Sequence, residues 1–121
     1  MKSFNRKSLH ERRKIRIRKK INGCATIPRL SVFRSSKHIY VQAIDDSSGL
    51  TLASASTLEK DMQLELKDIK KVTAAVRIGS ILGKRLHDKG ITSAVFDRNG
   101  HRYKGRIAAL ALGVRETGLK I

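Results

Sequence analysis

The stretch RLSVFRSSKHIYVQAIDDSSGLTLASAST, residues 29–57, decides the fold because it is typical of three strands joined by two short polar loops. In HIYVQAID, residues 38–45, the apolar side chains of Ile39, Val41 and Ala43 alternate with polar ones. Strict alternation is the period of a strand with one buried face. The sequence therefore predicts a central strand here.

Similar patterns flank this strand on both sides. RLSVFRS, residues 29–35, places Leu30 and Val32 on one face, and LTLASAST, residues 50–57, is rich in small and β-branched residues. DDSSG, residues 45–49, supplies the Asp, Ser and Gly that a tight reversal needs. We expect the three strands to form an antiparallel meander.

Two helices and a fourth strand are predicted downstream. The helix over 72–89 has one small or apolar face, made of Val72, Ala75, Val76, Gly79, Leu82 and Leu86. A short strand over 92–96 and a turn over 97–100 follow. The last helix, over 104–117, has a face made of Ile107, Leu110, Ala111 and Val114. The charged segment 58–71 fits no pattern.

The predicted element order is therefore a basic N-terminal arm followed by β-β-β-α-β-α. The fold class is α/β (α+β), a single domain whose mixed sheet is packed by helices, because the fourth strand returns through a helical crossover. Residues 1–28 form the arm and a linker ending at Ile27-Pro28, and residues 29–121 form the globular domain.

The arm carries the strongest indication of function. Residues 1–20 contain ten Lys or Arg and one acid, and RRKIRIRKK, residues 12–20, has seven cations in nine positions. Such charges repel one another in water, whereas a dense polyanion neutralises them and releases counterions. Residues 8–21 contain no Gly or Pro, so we expect a helix there once this charge is neutralised. The arm therefore indicates nucleic acid as the partner.

The whole chain is basic, with 27 Lys and Arg against 10 Asp and Glu, a net charge of +17. Thirteen of those cations and one of those acids fall in residues 1–38. The sequence contains no apolar run long enough to span a membrane. Cys24 is the only cysteine, which excludes an intrachain disulfide and favours a reducing compartment.

Two segments of the domain have the composition of an RNA contact. The polar face His38, Tyr40 and Gln42 follows Arg34, Ser35 and Lys37, a set suited to phosphates, sugars and flat contacts. DRNGHRYKGR, residues 97–106, surrounds two glycines with cations and places Arg106 at a helix N-terminus, where N–H groups favour an anion. An ordinary solvated strand face and a polar turn remain the alternatives.

The sequence offers no catalytic or metal-binding constellation. GSILGKR, residues 79–85, lacks the spacing of a phosphate loop, and the four histidines and Cys24 have no metal-ligand spacing. A two-metal nuclease is a remote alternative. Its acids would come from Asp45, Asp46, Glu59, Asp61 and Asp97. Acids near turns are expected to be solvated, so we predict neither catalysis nor a cofactor.

Aromatic content separates two kinds of RNA recognition. The chain has three Phe, two Tyr and no Trp. Modules that bind single strands stack bases on aromatic side chains. Structured RNA, recognised by shape, backbone and 2′-hydroxyls, is therefore the better fit. A nonspecific structured-RNA binder or RNA chaperone is an alternative, because the arm alone would suffice for it.

Three parts of the sequence resemble the bacterial large-subunit ribosomal protein eighteen, the 5S-rRNA-binding family. They are RLSVFRSSKHIYVQAID, LASAST, and KGI with VFDRNGHRYKGRIAALALGVRETGL. The resemblance covers residues 29–121 nearly end to end, and the arm matches in character. The pattern FDR-x-G-x-x-Y-x-G-R over residues 96–106 is the most specific part, although Lys104 stands where the family usually has His.

This resemblance implies a structural protein that docks 5S rRNA onto the large subunit, with 23S rRNA and neighbouring ribosomal proteins as partners. It implies a cytoplasmic ribosome, with an organellar one left open, and no small-molecule substrate, membrane or metal. The RNA-binding residues expected in the arm are Arg6, Lys7, Arg12, Arg13, Lys14, Arg16, Arg18, Lys19 and Lys20. Those expected on the sheet side are Arg29, Arg34, Ser35, Lys37, His38, Tyr40 and Gln42. Those expected in the second contact are Arg98, His101, Tyr103 and Arg106.

Overall fold

The computed structural model describes residues 8–121. Along the chain lie α1 (Leu9–Lys20), β1 (Arg29–Arg34), β2 (Ile39–Asp45), β3 (Leu50–Ser56), α2 (Lys60–Glu65), α3 (Lys71–Asp88), β4 (Val95–Asp97) and α4 (Arg106–Glu116). The predicted order of strands and long helices is confirmed, and the arm contains a helix.

The sheet has four strands in the order β3-β2-β1-β4. β1 to β3 form the predicted antiparallel meander, and β4 runs parallel to β1, so the mixed sheet is confirmed. β4 is shorter than predicted because only three residues pair with β1. Ser93, which was predicted to lie in this strand, instead bridges to Lys120.

The core lies between one face of the sheet and the helices α3 and α4. Leu30, Val32, Ile39 and Val41 are fully buried on the sheet, as the alternation predicts. Each of these side chains stabilises the fold by roughly 1.5–3 kcal/mol relative to an exposed position. The opposite, outer face of the meander stays available to carry the polar and aromatic side chains described below.

The buried face of α3 differs from the predicted one at its start. Val72 is 50% exposed, so its assignment to the core was wrong. It lies in the first turn of the helix, and burial begins only at Ala74. Ile78, which was not predicted, is fully buried.

The short helix α2 was missed by the sequence interpretation. Only Met62 in it is buried, and six residues are too few to show a helical period. Glu59 fixes its start through one local and one tertiary contact, since it accepts a hydrogen bond from Ser56 N–H (2.8 Å) and pairs with Arg85 of α3 (2.8 Å).

Two acids at strand ends next to turns are buried, contrary to the expectation that acids near turns are solvated. Asp45 is 7% and Asp97 is 1% exposed. Asp45 accepts hydrogen bonds from Ser47 and Ser48, and the Ser47 hydroxyl is the main cause of its lowered pKa. Asp97 pairs with Arg29 at 2.7 Å. Asp97 also accepts a hydrogen bond from Asn99 N–H (2.8 Å), so each carboxylate holds the turn that follows it in place.

Candidate nucleic-acid interface

The arm helix α1 presents a dense array of cations. The Ser8 hydroxyl caps it by accepting a hydrogen bond from Glu11 N–H (3.1 Å), and none of its residues is buried. Cations fill its last turn, where they interact favourably with the helix dipole. The predicted arm residues on it are Arg12, Arg13, Lys14, Arg16, Arg18, Lys19 and Lys20. Arg6 and Lys7 lie outside the described residues.

The first half of α1 lies against the turn that precedes α4. The rings of His10 and His101 are 4.8 Å apart in an edge-to-face arrangement. Gly100, with a φ of +79°, is buried beneath the helix, where a Cβ would come within 2.7 Å of the His10 carbonyl and the Lys14 side chain. The absence of a side chain at Gly100 therefore allows a close backbone approach to the arm helix itself.

A basic groove opens where this turn, the end of β1 and the start of α4 meet α1. Its cavity volume is about 360 Å³, and its lining residues are His10, Arg13, Arg34, Gly100, His101, Arg102, Lys104, Gly105 and Arg106. A second hollow of about 540 Å³ shares Arg34, His101 and Arg106 and adds Lys71. None of these described lining residues is acidic.

Arg106 joins the two predicted contact regions. It is the first residue of α4, as expected, and its Nη1 donates to the Ser35 carbonyl in the β1–β2 turn at 2.7 Å. Burial, followed by the charge of Arg34, lowers the pKa of Arg106. The guanidinium is thus held in place in a region of positive potential.

The same positive potential acts on His101. Burial lowers its pKa, and the positive charges of His10, Arg34 and Lys14 lower it further. Cations that disfavour the protonation of His101 also favour a bound anion, because the negative charge of a phosphate would offset the repulsion among them. The groove is therefore suited to the phosphate backbone of a nucleic acid.

Two members of the predicted second contact lie elsewhere. Arg98 Nη1 donates to the His101 carbonyl (3.3 Å), but its side chain lines a separate hollow with Arg13 and Lys20 of α1. Tyr103 is 45% exposed, and its hydroxyl accepts a hydrogen bond from Arg115 (2.6 Å). The ring of Tyr103 thus packs against Phe96 and remains partly accessible to solvent.

The predicted sheet-side residues divide among three places. Arg34 and Ser35 join the groove region. Tyr40 stacks on Phe33 on the outer sheet face, with ring centroids 4.8 Å apart, and Gln42 lies on the same face. His38, which bonds Thr57 through Nδ1 (3.0 Å), lines with Lys37 a partly apolar hollow beside α2.

Arg29 differs from the other predicted cations because carboxylates surround it. Its side chain is 11% exposed and bonds Asp46 through Nε (3.0 Å) and Asp97 through Nη1 (2.7 Å). Burial opposes its charge, but these two partners outweigh burial and raise its pKa. In the described part of the chain no three His, Cys, Asp or Glu side chains gather as a metal site.

Sequence reasoning did not select His10, Lys71, Arg102 or Lys104 as site residues, although all four line the groove or its neighbouring hollow. Arg102 and Lys104 stand in the cationic segment already noted. A lone His in an arm and a Lys at a helix start carry no sequence signal, because only the packing of α1 and α3 brings them to the groove.

A cationic arm helix joined to an acid-free groove on a small α+β domain is typical of structural RNA-binding proteins. This chain therefore has the features of a structural RNA-binding protein.

The family model described as ribosomal L18 of archaea, bacteria, mitochondria and chloroplasts matches residues 4–121. The large ribosomal subunit protein uL18 of Sorangium cellulosum is 56% identical over 109 residues, which cover 90% of this chain and 92% of that protein. The uL18 of Petrotoga mobilis is 46% identical over 120 residues, covering 99% and 98%. The uL18 of Syntrophus aciditrophicus is 51% identical over 112 residues, covering 93% of each chain.

The chain belongs to the ribosomal L18 family. Members are structural proteins of the ribosome rather than enzymes, so the sequence-based prediction of a non-catalytic ribosomal protein is confirmed. Within residues 8–121, no helix is sufficiently long and apolar to cross a membrane.

Proposed function

We propose that this protein binds 5S rRNA in the large ribosomal subunit and helps to attach it to 23S rRNA, next to other large-subunit proteins. The observation that carries the proposal is the basic groove, because it belongs to the folded domain and not to the arm alone. Arm cations would bind any RNA, whereas a groove of fixed shape can prefer one folded RNA.

The proposed contacts follow from this arrangement. Phosphates lie along α1 and in the basic groove, and the outer sheet face supplies Tyr40 and Gln42 for sugars and bases. The proposed contact set consists of Arg6, Lys7, Arg12, Arg13, Lys14, Arg16, Arg18, Lys19, Lys20, Arg34, Ser35, Lys37, His38, Tyr40, Gln42, Arg98, His101, Tyr103 and Arg106. Arg29 is left out because its guanidinium donates to Asp46 and Asp97.

The test is competitive binding of the full-length protein to 5S rRNA, transfer RNA and a plain RNA duplex across a salt series. If about six phosphates are neutralised, affinity falls by roughly three decades between about 50 and 200 mM salt. The expected result is a preference for 5S rRNA that persists at high salt. Equal binding to all three RNAs, lost together as salt rises, would contradict the proposal.

A matched pair of single substitutions tests whether the basic groove contributes to the binding of 5S rRNA. Arg34→Gln should weaken 5S binding and reduce the salt slope by about one. Lys89→Gln removes the same charge at the far end of α3, about 27 Å from Lys71 by helical rise, and should change neither quantity. Equal losses in the two variants would mean that net charge, rather than the groove, governs binding.

A nonspecific structured-RNA binder is the second candidate, favoured by the exposed cations of α1. It predicts the same salt dependence but no preference among RNAs. The competition experiment therefore separates the two functions in one series.

A further inference from the structure

Asp46 lies at the point where the arm meets the domain. Its Oδ2 accepts a hydrogen bond from Gly23 N–H (2.7 Å), and its own N–H donates to the Gly23 carbonyl (3.1 Å). Arg18 of α1 reaches the same oxygen at 3.5 Å and also donates to the Ile21 carbonyl (2.9 Å). The segment after the arm helix is therefore tied to the β2–β3 loop.

Arg29 holds this carboxylate in place. Its guanidinium bonds Asp46 through Nε (3.0 Å) and Nη2 (3.1 Å), and Nη1 bonds Asp97 (2.7 Å). Asp97 also accepts a hydrogen bond from Asn99 N–H (2.8 Å), in the turn that carries Gly100. One guanidinium thus connects the root of the arm with the turn that forms the groove.

The fit at Gly23 shows that the arm's exit is fixed by contact. Gly23 is buried, and a Cβ there would overlap Arg29 N and lie 2.6 Å from the Ile44 carbonyl. The hydrogen bond to the Asp46 carboxylate and this close backbone contact both hold Gly23 in place. The direction in which residues 9–20 leave the domain is consequently set by the domain.

We propose that Asp46 and Arg29 are positioning residues for RNA binding, which fix where the arm leaves the domain relative to the basic groove. They act through Gly23 and the 97–100 turn, and neither touches RNA. This inference rests on the proposed RNA-binding function and deepens it.

The charges themselves argue for positioning rather than contact. The side chains of Arg29 and Asp46 are 11% and 13% exposed, and the Arg29 guanidinium is already paired with the carboxylates of both Asp46 and Asp97. The Arg29 hydrogen bond is the main cause of the lowered pKa of Asp46, so its carboxylate is ionised at neutral pH. An ionised carboxylate on its own would repel a phosphate.

Asp46→Asn in the full-length protein tests the proposal because simple electrostatics predicts the opposite result. The substitution removes a negative charge from a chain of net charge +17, which by itself would strengthen RNA binding. A loosened arm must be ordered on binding, so we expect affinity for 5S rRNA to fall about tenfold. The salt slope should stay at the wild-type value because every phosphate contact is kept.

Two controls separate positioning from its alternatives. Lys19→Gln, at an exposed α1 position, should lower the salt slope by about one, as the removal of any phosphate-binding cation does. Ile78→Val weakens the core without touching the junction and should lower the melting temperature while leaving affinity unchanged.

Unchanged or stronger binding by Asp46→Asn would overturn the proposal, as would an equal loss of affinity in Ile78→Val. Arg29→Gln should also weaken binding at an unchanged slope, and a slope lowered by about one would make Arg29 a phosphate contact instead. Wild-type preference for 5S rRNA is measured in the same series. If the wild-type protein shows no preference for 5S rRNA, the proposed function is refuted. The ratio of variant to wild-type affinity for any one RNA would still test whether Asp46 and Arg29 position the arm.

Discussion

His101 lines the basic groove beside the arm helix, so a phosphate bound in the groove would change its pKa. Four cationic or ionisable groups face it: His10 and Lys14 from α1, Arg34 from β1 and Arg106 from α4. In the free protein, burial lowers its pKa below the ordinary value of 6.5, and the charges of His10, Arg34 and Lys14 lower it further. The folded state therefore takes up this proton less readily than the unfolded chain.

This gives a pH dependence of known sign. Folding stability should decrease as pH falls through about 6.5, because the unfolded chain binds the proton first. Bound phosphate favours the imidazolium, so the pKa of His101 should rise when RNA binds. Ring-proton NMR titration of free and RNA-bound protein measures both values.

His87, in the last turn of α3, serves as the internal control, since its resonances should not shift when RNA is added. A pKa of His101 that stays the same or falls on binding would mean that no phosphate lies near the groove.

At the residue scale, the sequence showed where cations are concentrated, but it did not show which of them pair with carboxylates. Arg106 and His101, both selected from the cationic turn, lie in the groove region, and their contact with RNA stays a prediction. Arg29 looked like any other cation, yet two carboxylates that are 17 and 68 positions away enclose it. A pairing at that sequence distance depends on strand register, and composition contains no information about it.

The crossing of α3 and α4 is the tightest contact between elements. A Cβ at Gly79 would overlap the Leu110 carbonyl, and a Cβ at Gly113 would overlap the Val76 carbonyl. Reciprocal glycines bring the two backbones together, which leaves Leu82 and Val114 fully buried in the same core.

Gly79→Ala should destabilise the protein by about 1–3 kcal/mol, since the helices must separate to admit the methyl group. Thermal or urea unfolding measures the change. Leu112→Ala, at a 50% exposed position of α4, should alter stability by no more than about 0.5 kcal/mol. If Gly79→Ala were as stable as wild type, the two helices would be able to move apart freely.

Elements with a long or strict period were predicted most accurately, whereas the short helix α2 was missed and the short strand β4 was predicted to start at 92 rather than 95. β2 alternates over seven residues, and α3 repeats its buried face over 18 residues, so local pattern sufficed for both. α2 buries only Met62, and β4 pairs through three residues. Their existence depends on Glu59 meeting Arg85 and on β1 accepting a parallel neighbour, which are tertiary events.

For the whole molecule, charge and shape have different roles. The arm helix contributes cations without burying any residue, whereas the groove combines cations from several elements around a cavity of about 360 Å³. Under the proposed function, the first feature would supply affinity that depends on salt, and the second would supply the preference for one folded RNA.

Replacing both Lys19 and Lys20 with Gln should therefore weaken binding to 5S rRNA, transfer RNA and a plain duplex by the same factor. The salt slope should fall by up to about two, one for each cation removed from a phosphate, and the preference for 5S rRNA should be unchanged. Competitive titration across salt concentrations measures all three quantities. A selective loss of 5S binding would show that the end of α1 reads the RNA rather than merely attracting it.

The sequence by itself determined the class of partner, the meander, the two long helices and the family, because charge density, periodicity and motif spacing are local properties of the chain. Only the tertiary structure decided that His10 meets His101, that Arg106 meets the β1–β2 turn, and that Arg29 is enclosed by acids. These contacts join residues that are distant in sequence. Their geometry is set by strand register and helix docking, so it exists only once the core has formed.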